Sequence, residues 1–205
     1  MKQALLIFTK NLTDGKVKTR LAATIGNVAA LSVYVQLLRH TARITRDINV
    51  EKKVLYSDYV AIADIWDEEI YSKAVQEGTD LGDRMHNAIH DAFGQGNTAV
   101  AVIGSDCIDL TEEIISESFR KLEEFDIVIG PAEDGGYYLI AMKNENEALF
   151  RNMIWSASEV LSQTISKCND LNLSVFCLPQ LSDIDTEADL IKVSERLYYS
   201  KDADD

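Results

Sequence analysis

Two aspartates follow an uninterrupted apolar segment in the middle of the chain. Residues 99–103 read Ala-Val-Ala-Val-Ile, and Gly-Ser-Asp-Cys-Ile-Asp follows them directly. A strand buried on both faces has such a sequence, and open α/β sheets bind ligands just beyond the carboxyl ends of their strands. Asp106, at the strand terminus, is therefore a candidate ligand for a substrate or a hard cation. Asp109 is predicted instead to cap the helix that begins near Thr111.

A basic loop follows the first apolar run. It contains Lys10, Lys18 and Arg20 together with Gly15. Such a loop after a first strand is where α/β folds bind phosphates, through loop amides, the N-terminus of the next helix and cationic side chains. The three cationic side chains are therefore candidate phosphate ligands, although a solvated surface loop can have the same composition. The loop matches neither Gly-x-x-x-x-Gly-Lys-Ser/Thr nor Gly-x-Gly-x-x-Gly.

Residues 77–85 open a helix, with Asp80 or the threonine before it as the predicted cap. Two glycines in this segment could let the backbone approach a base or ribose while Arg84 contacts a phosphate or carboxylate. The alternative is capping together with a surface ion pair. His86 and His90 lie one turn apart but lack the glutamate of His-Glu-x-x-His, so a zinc site is not favoured.

Two further acidic turns could supply carboxylates. Asp134 precedes Gly135-Gly136 in a tight turn between apolar runs. If that turn faces the same sheet edge as Asp106, Asp134 could bind metal, accept a substrate hydroxyl or act as a base. Near the last helix, Asp183 or Asp185 could be the second carboxylate of a divalent-cation site, since such cations take one or two carboxylates plus water. Capping of the helix by Asp185 and the threonine after it is the alternative.

The elements that must position these residues alternate along the chain. Helical spacing of apolar residues predicts five helices, at residues 27–46, 79–93, 111–124, 156–167 and 186–199. Seven apolar runs predict strands at residues 4–8, 53–56, 70–75, 99–103, 127–129, 137–142 and 173–178. The alternation indicates a three-layer α/β/α domain with a mainly parallel sheet. Residues 130–136 leave no room for a crossover helix, so the flanking strands form a hairpin or lie apart, and the sheet is predicted to be mixed.

Composition sets the broad class of the protein. The 205 residues, 46% of them hydrophobic, suit one domain spanning 1–205. A formal charge of −14 excludes nucleic acids and anionic membranes as expected partners, while the basic loop favours a small anionic ligand. The sequence predicts no membrane span and no signal peptide, so the expected location is the cytoplasm. The three cysteines form no CxxC pair and are expected to be reduced thiols.

These motifs, in this order, resemble a bacterial family of small GT-A-like proteins, the DUF2064 or arsenosugar-biosynthesis-type glycosyltransferase family. The resemblance spans almost the whole chain, and its most specific parts are Val-Lys-Thr-Arg-Leu and Glu-Asp-Gly-Gly-Tyr-Tyr. The matching segments are residues 8–10, 15–21, 78–85, 103–110, 130–140, 155–161 and 183–190.

The resemblance implies a nucleotide-diphospho-sugar transferase fold of the GT-A, Rossmann-like type, which glycosyltransferases share with molybdenum-cofactor and phospholactate guanylyltransferases. In such relatives the first loop binds the nucleotide and an aspartate at the end of a later strand binds a divalent metal. Carried over, the nucleotide loop maps to residues 9–20, and Asp106 and Asp185 would hold Mg²⁺ or Mn²⁺. Beyond the family pattern, we expect Asp134 to be a catalytic residue in contact with the acceptor or the metal, with Gly135 and Gly136 on the acceptor side. The nucleotide would contact Phe8, Thr9, Lys10, Lys18, Arg20, Asp80, Arg84 and Ser105.

Departures from the family pattern refine the functional hypothesis. Leu12, Ile108 and Glu187 replace prolines that rigidify three loops, but no charged ligand is lost. The first loop lacks the Gly-Gly-x-Gly-x-Arg signature of nucleotidyltransferases, which favours glycosyl transfer. The leading hypothesis is a metal-dependent glycosyltransferase with a nucleotide-activated sugar donor. The alternatives are a guanylyl- or cytidylyltransferase that releases pyrophosphate, and a nucleotide-binding protein without turnover.

Overall fold

The computed structural model describes residues 2–199, with the backbone alone described for 194–199. Its centre is a seven-stranded sheet in the order β3-β2-β1-β4-β6-β5-β7. All seven apolar runs of the sequence form strands. Their bounds are β1 Gln3–Thr9, β2 Glu51–Tyr56, β3 Ser72–Val75, β4 Ala99–Ile103, β5 Ile127–Pro131, β6 Tyr137–Met142 and β7 Val175–Cys177.

Helices cover both faces of the sheet, as the alternating pattern predicts. They are α1 Thr19–Ile25, α2 Asn27–Thr45, α3 Leu81–Gly94, α4 Glu112–Lys121, α5 Val160–Asp170 and α6 Glu187–Tyr199. Alternate residues of β1 separate two apolar cores: Leu5 and Ile7 pack with side chains of α1, α2 and α4, whereas Ala4 and Leu6 pack with those of α3 and α5. The predicted three-layer architecture is therefore confirmed. None of the described helices is long and apolar enough to cross a membrane.

One strand runs against the others and makes the sheet mixed. β6 pairs antiparallel with both β4 and β5, while the remaining pairs are parallel. The short connection at residues 132–136 thus joins a β5–β6 hairpin, the first of the two alternatives that the sequence leaves open. All five residues of β4 are buried, which explains their continuous apolar run. Because β1 and β4 pair in parallel, their carboxyl ends lie side by side at one edge of the sheet.

The basic loop is shorter than its sequence suggests. Residues after Lys18 form α1, which buries Leu21 and ends at Gly26 with φ of 84°. The helix escaped prediction because its seven residues are fewer than a hydrophobic period needs to be evident. Arg20 therefore lies in the first turn of a helix. Lys18 is the residue before it, with left-handed backbone at φ 47°.

The helix caps correct one prediction and confirm another. Thr111, not Asp109, caps α4, because the Thr111 side chain accepts a hydrogen bond from the backbone N–H of Ile114. The cap of α3 is Asp80, as expected, and it accepts from the N–H of Asp83. At the start of α6, the Asp189 carboxylate accepts from the N–H and hydroxyl of Thr186, so a capping box leaves Asp185 outside the cap.

Asp126, which precedes β5, hydrogen-bonds to Ser174, which precedes the neighbouring strand β7. Its Oδ2 accepts from the N–H and hydroxyl of Ser174, and Oδ1 lies 3.0 Å from Lys143 Nζ. The Ser174 hydrogen bonds, with Lys143, lower the pKa of Asp126 to about 2.

Asp126→Asn should therefore destabilise the protein in a pH-dependent way. The carboxylate stabilises the fold fully above its unfolded pKa of about 4, and this contribution is lost as the pH falls through the folded pKa of about 2. Because the side chain is partly exposed, we expect a loss of only about 1 kcal/mol at pH 7. Urea unfolding at pH 7 and pH 2.5 checks this expectation, with Glu124→Gln as the control. A difference between variant and wild type that stays constant with pH would contradict it.

Candidate functional site

A cavity of about 410 Å³ opens at the carboxyl ends of β1 and β4. It is bounded by the basic loop, the start of α1, the start of α3 and the segment that follows β4. Nine of the residues that the sequence singles out line it: Phe8, Thr9, Lys10, Lys18, Arg20, Arg84, Ser105, Asp106 and Asp185. The strand arrangement thus brings together residues that are distant in sequence. Asp80 does not line the cavity; its side chain caps α3.

The hydroxyl group of Tyr34, which lines the cavity, hydrogen-bonds to residues at the ends of two strands. The sequence gives no indication of this residue. Its hydroxyl oxygen lies 3.1 Å from Thr9 Oγ1 and 3.2 Å from Ser105 Oγ, and it accepts from the N–H of Lys10 at 2.8 Å. Burial raises the pKa of Tyr34, so the phenol stays protonated. Tyr34 therefore couples the ends of β1 and β4. In the sequence it is one of the apolar positions of α2 and carries no sign of this role.

The buried side chain of Lys18 connects the two carboxylates predicted to bind metal. Its Nζ lies 3.0 Å from Oδ2 of Asp106 and 2.9 Å from Oδ1 of Asp185. The lysine side chain is 5% exposed, against 39% for Asp106 and 40% for Asp185. Burial by itself lowers the pKa of Lys18, but the two carboxylates outweigh it and the pKa is raised. Lys18 is thus an ammonium ion held between two acids.

A third carboxyl group, that of Asp183, lies close enough to Asp106 and Lys18 to interact with their charges. Burial, and after it the Asp106 carboxylate, raise the pKa of Asp183 well above its usual range, while Lys18 opposes the shift. Its Oδ1 is buried without a hydrogen-bond partner among the described residues. The loop that carries Asp183 is fixed to the end of β4 by a hydrogen bond from the N–H of Ile184 to the carbonyl of Asp106. Asp185 is therefore positioned by backbone as well as by Lys18.

Two arginines lie at opposite sides of the cavity. Arg20 is 71% exposed, with its Nη1 3.7 Å from Asp185 Oδ2, so its guanidinium can still reach an anion. Arg84 donates to the carbonyl of Gly78 and to Oε1 of Gln76. Gln76 in turn donates to the carbonyls of Thr9 and Leu55 and so joins the ends of β1 and β2. Gln76 is a second lining residue that the sequence analysis missed, since a lone glutamine after a strand gives no signal.

A second, acidic cavity adjoins the first. It measures about 280 Å³ and shares Arg20 and Asp185 with the larger cavity. Asp134 lies exposed on its wall, and Oδ1 of Asp134 accepts from the N–H of Gly136 at 2.9 Å. The other lining residues are Glu133, Ser182, Asp183, Thr186 and Asp189. The acidic turn of the hairpin therefore faces the same sheet edge as Asp106.

Gly135 allows the acidic turn to approach the segment before α5. Its φ is 89°, and a Cβ built on it would lie 2.0 Å from the carbonyl oxygen of Ser158. The carbonyl of Gly135 also accepts from the N–H of Leu161. The sequence correctly indicates a positive φ here but gives no sign of the close contact.

Gly135→Ala should destabilise the fold by about 2–4 kcal/mol, because both the backbone angle and the contact with Ser158 become unfavourable. Thermal and urea unfolding measure the effect. Gly94→Ala is the matched control: no atom lies within 4 Å of the added methyl group and the residue is helical, so stability should rise by about 0.5–1 kcal/mol. Equal stability of wild type and Gly135→Ala would contradict the geometry of the turn.

His86 and His90 lie away from both cavities. Nε2 of His86 and Nδ1 of His90 are 3.1 and 2.9 Å from the same oxygen of Glu145. Among the described residues, no three or more histidine, cysteine, aspartate or glutamate side chains are grouped so that they could hold a metal ion.

Asp106 and Asp185 nevertheless fit a divalent cation of the kind that binds together with phosphates. Mg²⁺ is held in such sites by one or two carboxylates, with water and phosphate oxygens as its other ligands. Lys18 engages one oxygen of each carboxylate, and both aspartates line the cavity; the second oxygen of Asp185 lies 3.7 Å from Arg20 Nη1. A Cβ at Gly104 would lie 2.9 Å from Oδ1 of Asp106, so a side chain there would crowd this oxygen.

Solved structures share this fold along nearly the whole chain. One from Desulfovibrio desulfuricans G20, described as a candidate nucleotide-diphospho-sugar transferase, is 28% identical, with a TM-score of 0.85 and coverage of 99% of this chain and 96% of that one. The 4-diphosphocytidyl-2C-methyl-D-erythritol synthase of Anaerococcus prevotii DSM 20548 is 12% identical, with a TM-score of 0.59 and 96% of both chains covered. The inositol-1-phosphate CTP transferase of T. maritima is also 12% identical, with a TM-score of 0.54 and coverage of 97% and 95%.

The fold and the cavity at its carboxyl edge place the protein among the transferases with a nucleotide-diphospho-sugar transferase fold. No curated protein matches the sequence. The family model described as "Uncharacterized protein conserved in bacteria (DUF2064)" matches residues 40–157, more than half of the chain. The chain therefore belongs to the DUF2064 family.

Proposed function

We propose that the protein is a glycosyltransferase that uses a nucleotide-activated sugar donor and a divalent cation, Mg²⁺ or Mn²⁺. The observation that carries the proposal is the pair of adjoining cavities that share Arg20 and Asp185. One is bordered by basic residues and suits a nucleoside diphosphate, and the other is acidic and suits a hydroxylated acceptor. The transferred sugar would lie at the shared residues. The 28% identity to the candidate nucleotide-diphospho-sugar transferase supports this proposal.

In this proposal the larger cavity binds the donor. The nucleoside lies against Phe8 and the backbone of Thr9, while Lys10, Arg20 and Arg84 bind phosphate oxygens. Ser105 and Thr9 act chiefly through Tyr34, which holds their hydroxyls. Asp106 and Asp185 would hold the cation, which when bound neutralises charge developing on the leaving phosphate.

Asp134 would act on the acceptor. It is the exposed carboxylate of the second cavity whose orientation is fixed by a neighbouring backbone N–H. As the acceptor oxygen forms its bond to the anomeric carbon, the bond from that carbon to the phosphate oxygen breaks, and its electron pair stays on the nucleoside diphosphate. The acceptor's hydroxyl proton passes to Asp134 as general base. Gly135 and Gly136 allow the turn to present this carboxylate.

Nucleotidyl transfer is the second candidate function. Lys10, Arg20 and Arg84 could equally bind a triphosphate, in which case attack on the α-phosphorus would release pyrophosphate. Two solved structures with this fold, the 4-diphosphocytidyl-2C-methyl-D-erythritol synthase and the inositol-1-phosphate CTP transferase, support this alternative.

A donor screen distinguishes the candidates. Thermal shifts with nucleotide sugars and nucleoside triphosphates, each with and without Mn²⁺, identify the ligand, and the products are then analysed with a panel of hydroxylated acceptors. Glycosyl transfer predicts a nucleoside diphosphate and a glycosylated acceptor, whereas nucleotidyl transfer predicts pyrophosphate. Saturable nucleotide binding with neither product across the panel would favour a binding protein and overturn the proposal.

A further inference from the structure

We propose that Lys18 is a positioning residue that neutralises part of the negative charge of the nucleotide-free site. A divalent cation therefore binds only weakly to the free protein and binds more tightly together with a nucleotide. This inference rests on the proposed function, in which Asp106 and Asp185 are the cation's protein ligands. The sequence predicts that Lys18 binds phosphate. The structure instead directs its ammonium group to both carboxylates, at 3.0 and 2.9 Å.

The position of Lys18 is built into the fold. Its backbone is left-handed, with φ of 47°, a conformation that costs a non-glycine residue about 1 kcal/mol or more. The side chain is 5% exposed, so its stem is packed and its ammonium group is not a freely moving surface charge. Nearby Lys16 is exposed and makes no ion pair among the described residues. Lys18, and not Lys16, is therefore the lysine that forms ion pairs with the two carboxylates.

The charges of Lys18 and the two carboxylates determine how strongly a cation binds to the nucleotide-free site. Lys18 neutralises one of the two negative charges of the carboxylates, and Arg20, 71% exposed and 3.7 Å from Asp185 Oδ2, weakens the remaining negative charge further. A cation entering by itself meets a reduced attraction and the direct repulsion of the ammonium group. Phosphates supply the missing negative charge and further oxygen ligands. Lys18 meanwhile holds one oxygen of each carboxylate, which fixes the orientation of the other two.

Titration of nucleotide-free protein with Mn²⁺ alone, followed by the electron paramagnetic resonance signal of free Mn²⁺, tests the proposal. Lys18→Met should bind Mn²⁺ at least about tenfold more tightly than wild type, because it removes one positive charge beside the ligands. Lys18→Arg keeps the charge and should bind as weakly as wild type. Lys16→Met, which removes an exposed lysine of the same loop, should leave the affinity unchanged. In Lys18→Met/Asp106→Asn the gain should disappear.

If Lys18→Met does not fold, Lys18→Gln replaces it, and the rise in its melting temperature with Mn²⁺ gives a second measure. Unchanged or weaker Mn²⁺ binding by the charge-removing variant overturns the inference. Because the titration uses neither donor nor acceptor, its outcome is independent of turnover. Tighter Mn²⁺ binding without any transferase activity would count against the proposed function alone, and sugar transfer without tighter Mn²⁺ binding would count against this inference alone.

Discussion

Asp106→Asn should weaken Mn²⁺-dependent nucleotide binding by about 100-fold or more while the protein remains folded. The substitution removes a negative charge at the mouth of the donor cavity but keeps the size of the side chain. It also removes one of the two carboxylates that hold Lys18, and Asp185 remains as its partner. Calorimetric titration with the nucleotide found in the donor screen, with and without Mn²⁺, measures the effect.

The matched control is Asp109→Asn, three residues further along the same segment. Asp109 lines neither cavity and should retain wild-type nucleotide binding. Circular dichroism establishes that both variants are folded. Nucleotide binding by Asp106→Asn at wild-type strength in the presence of Mn²⁺ would exclude Asp106 as a ligand of the cation.

Asp134→Asn should lower kcat by about 100-fold with little change in donor affinity. A general base contributes about 10²–10⁴ to a rate, and Asp134 lies in the second cavity, outside the donor cavity. Asparagine can still accept from the N–H of Gly136, so the turn should keep its conformation. Steady-state kinetics with the identified donor and acceptor, combined with donor titration, separate the two quantities.

Glu133→Gln is the control for this experiment, since it neutralises the adjacent carboxylate of the same cavity. It should retain most of the activity. If both variants lose activity equally, the cavity acts through its overall negative charge and Asp134 is not the base. A proportional loss of donor affinity in Asp134→Asn would instead assign it to donor binding.

Much of the fold follows from local patterns in the sequence. Continuous apolar runs identify the strands because a sheet covered on both faces buries every side chain, as in β4. The short connection between β5 and β6 identifies the hairpin for a geometric reason, since a parallel crossover needs more residues. The pairing of β6 with β4 depends on contacts between distant segments and has no local signal. Helix α1 is too short to show a period, and the cap of α4 lies two residues after the aspartate predicted for it.

The candidate site was predictable in its location and less so in its contacts. The rule that ligands bind at the carboxyl ends of strands brings Thr9 and Ser105 to one edge once the sheet is parallel. Residue type suggests that Lys18 contacts an anion, but the anion's identity depends on the approach of Asp185, whose loop is remote in sequence. Tyr34 escapes notice because a single buried polar group on an apolar helix looks like part of the core, and Gln76 because a lone glutamine after a strand gives no signal.

The contact between Lys18 and Asp185 spans 167 positions of the chain, and that between Lys18 and Asp106 spans 88. Closing the longer of these two loops costs more conformational entropy than pairing β1 with β4, where Gln3 lies opposite Ala99. An intermediate could therefore contain a paired β1–β4 core and still lack the binding site. During refolding, nucleotide binding should therefore recover later than secondary structure. Ligand binding then reports the step in which the loop that carries Asp185 docks against the rest of the fold.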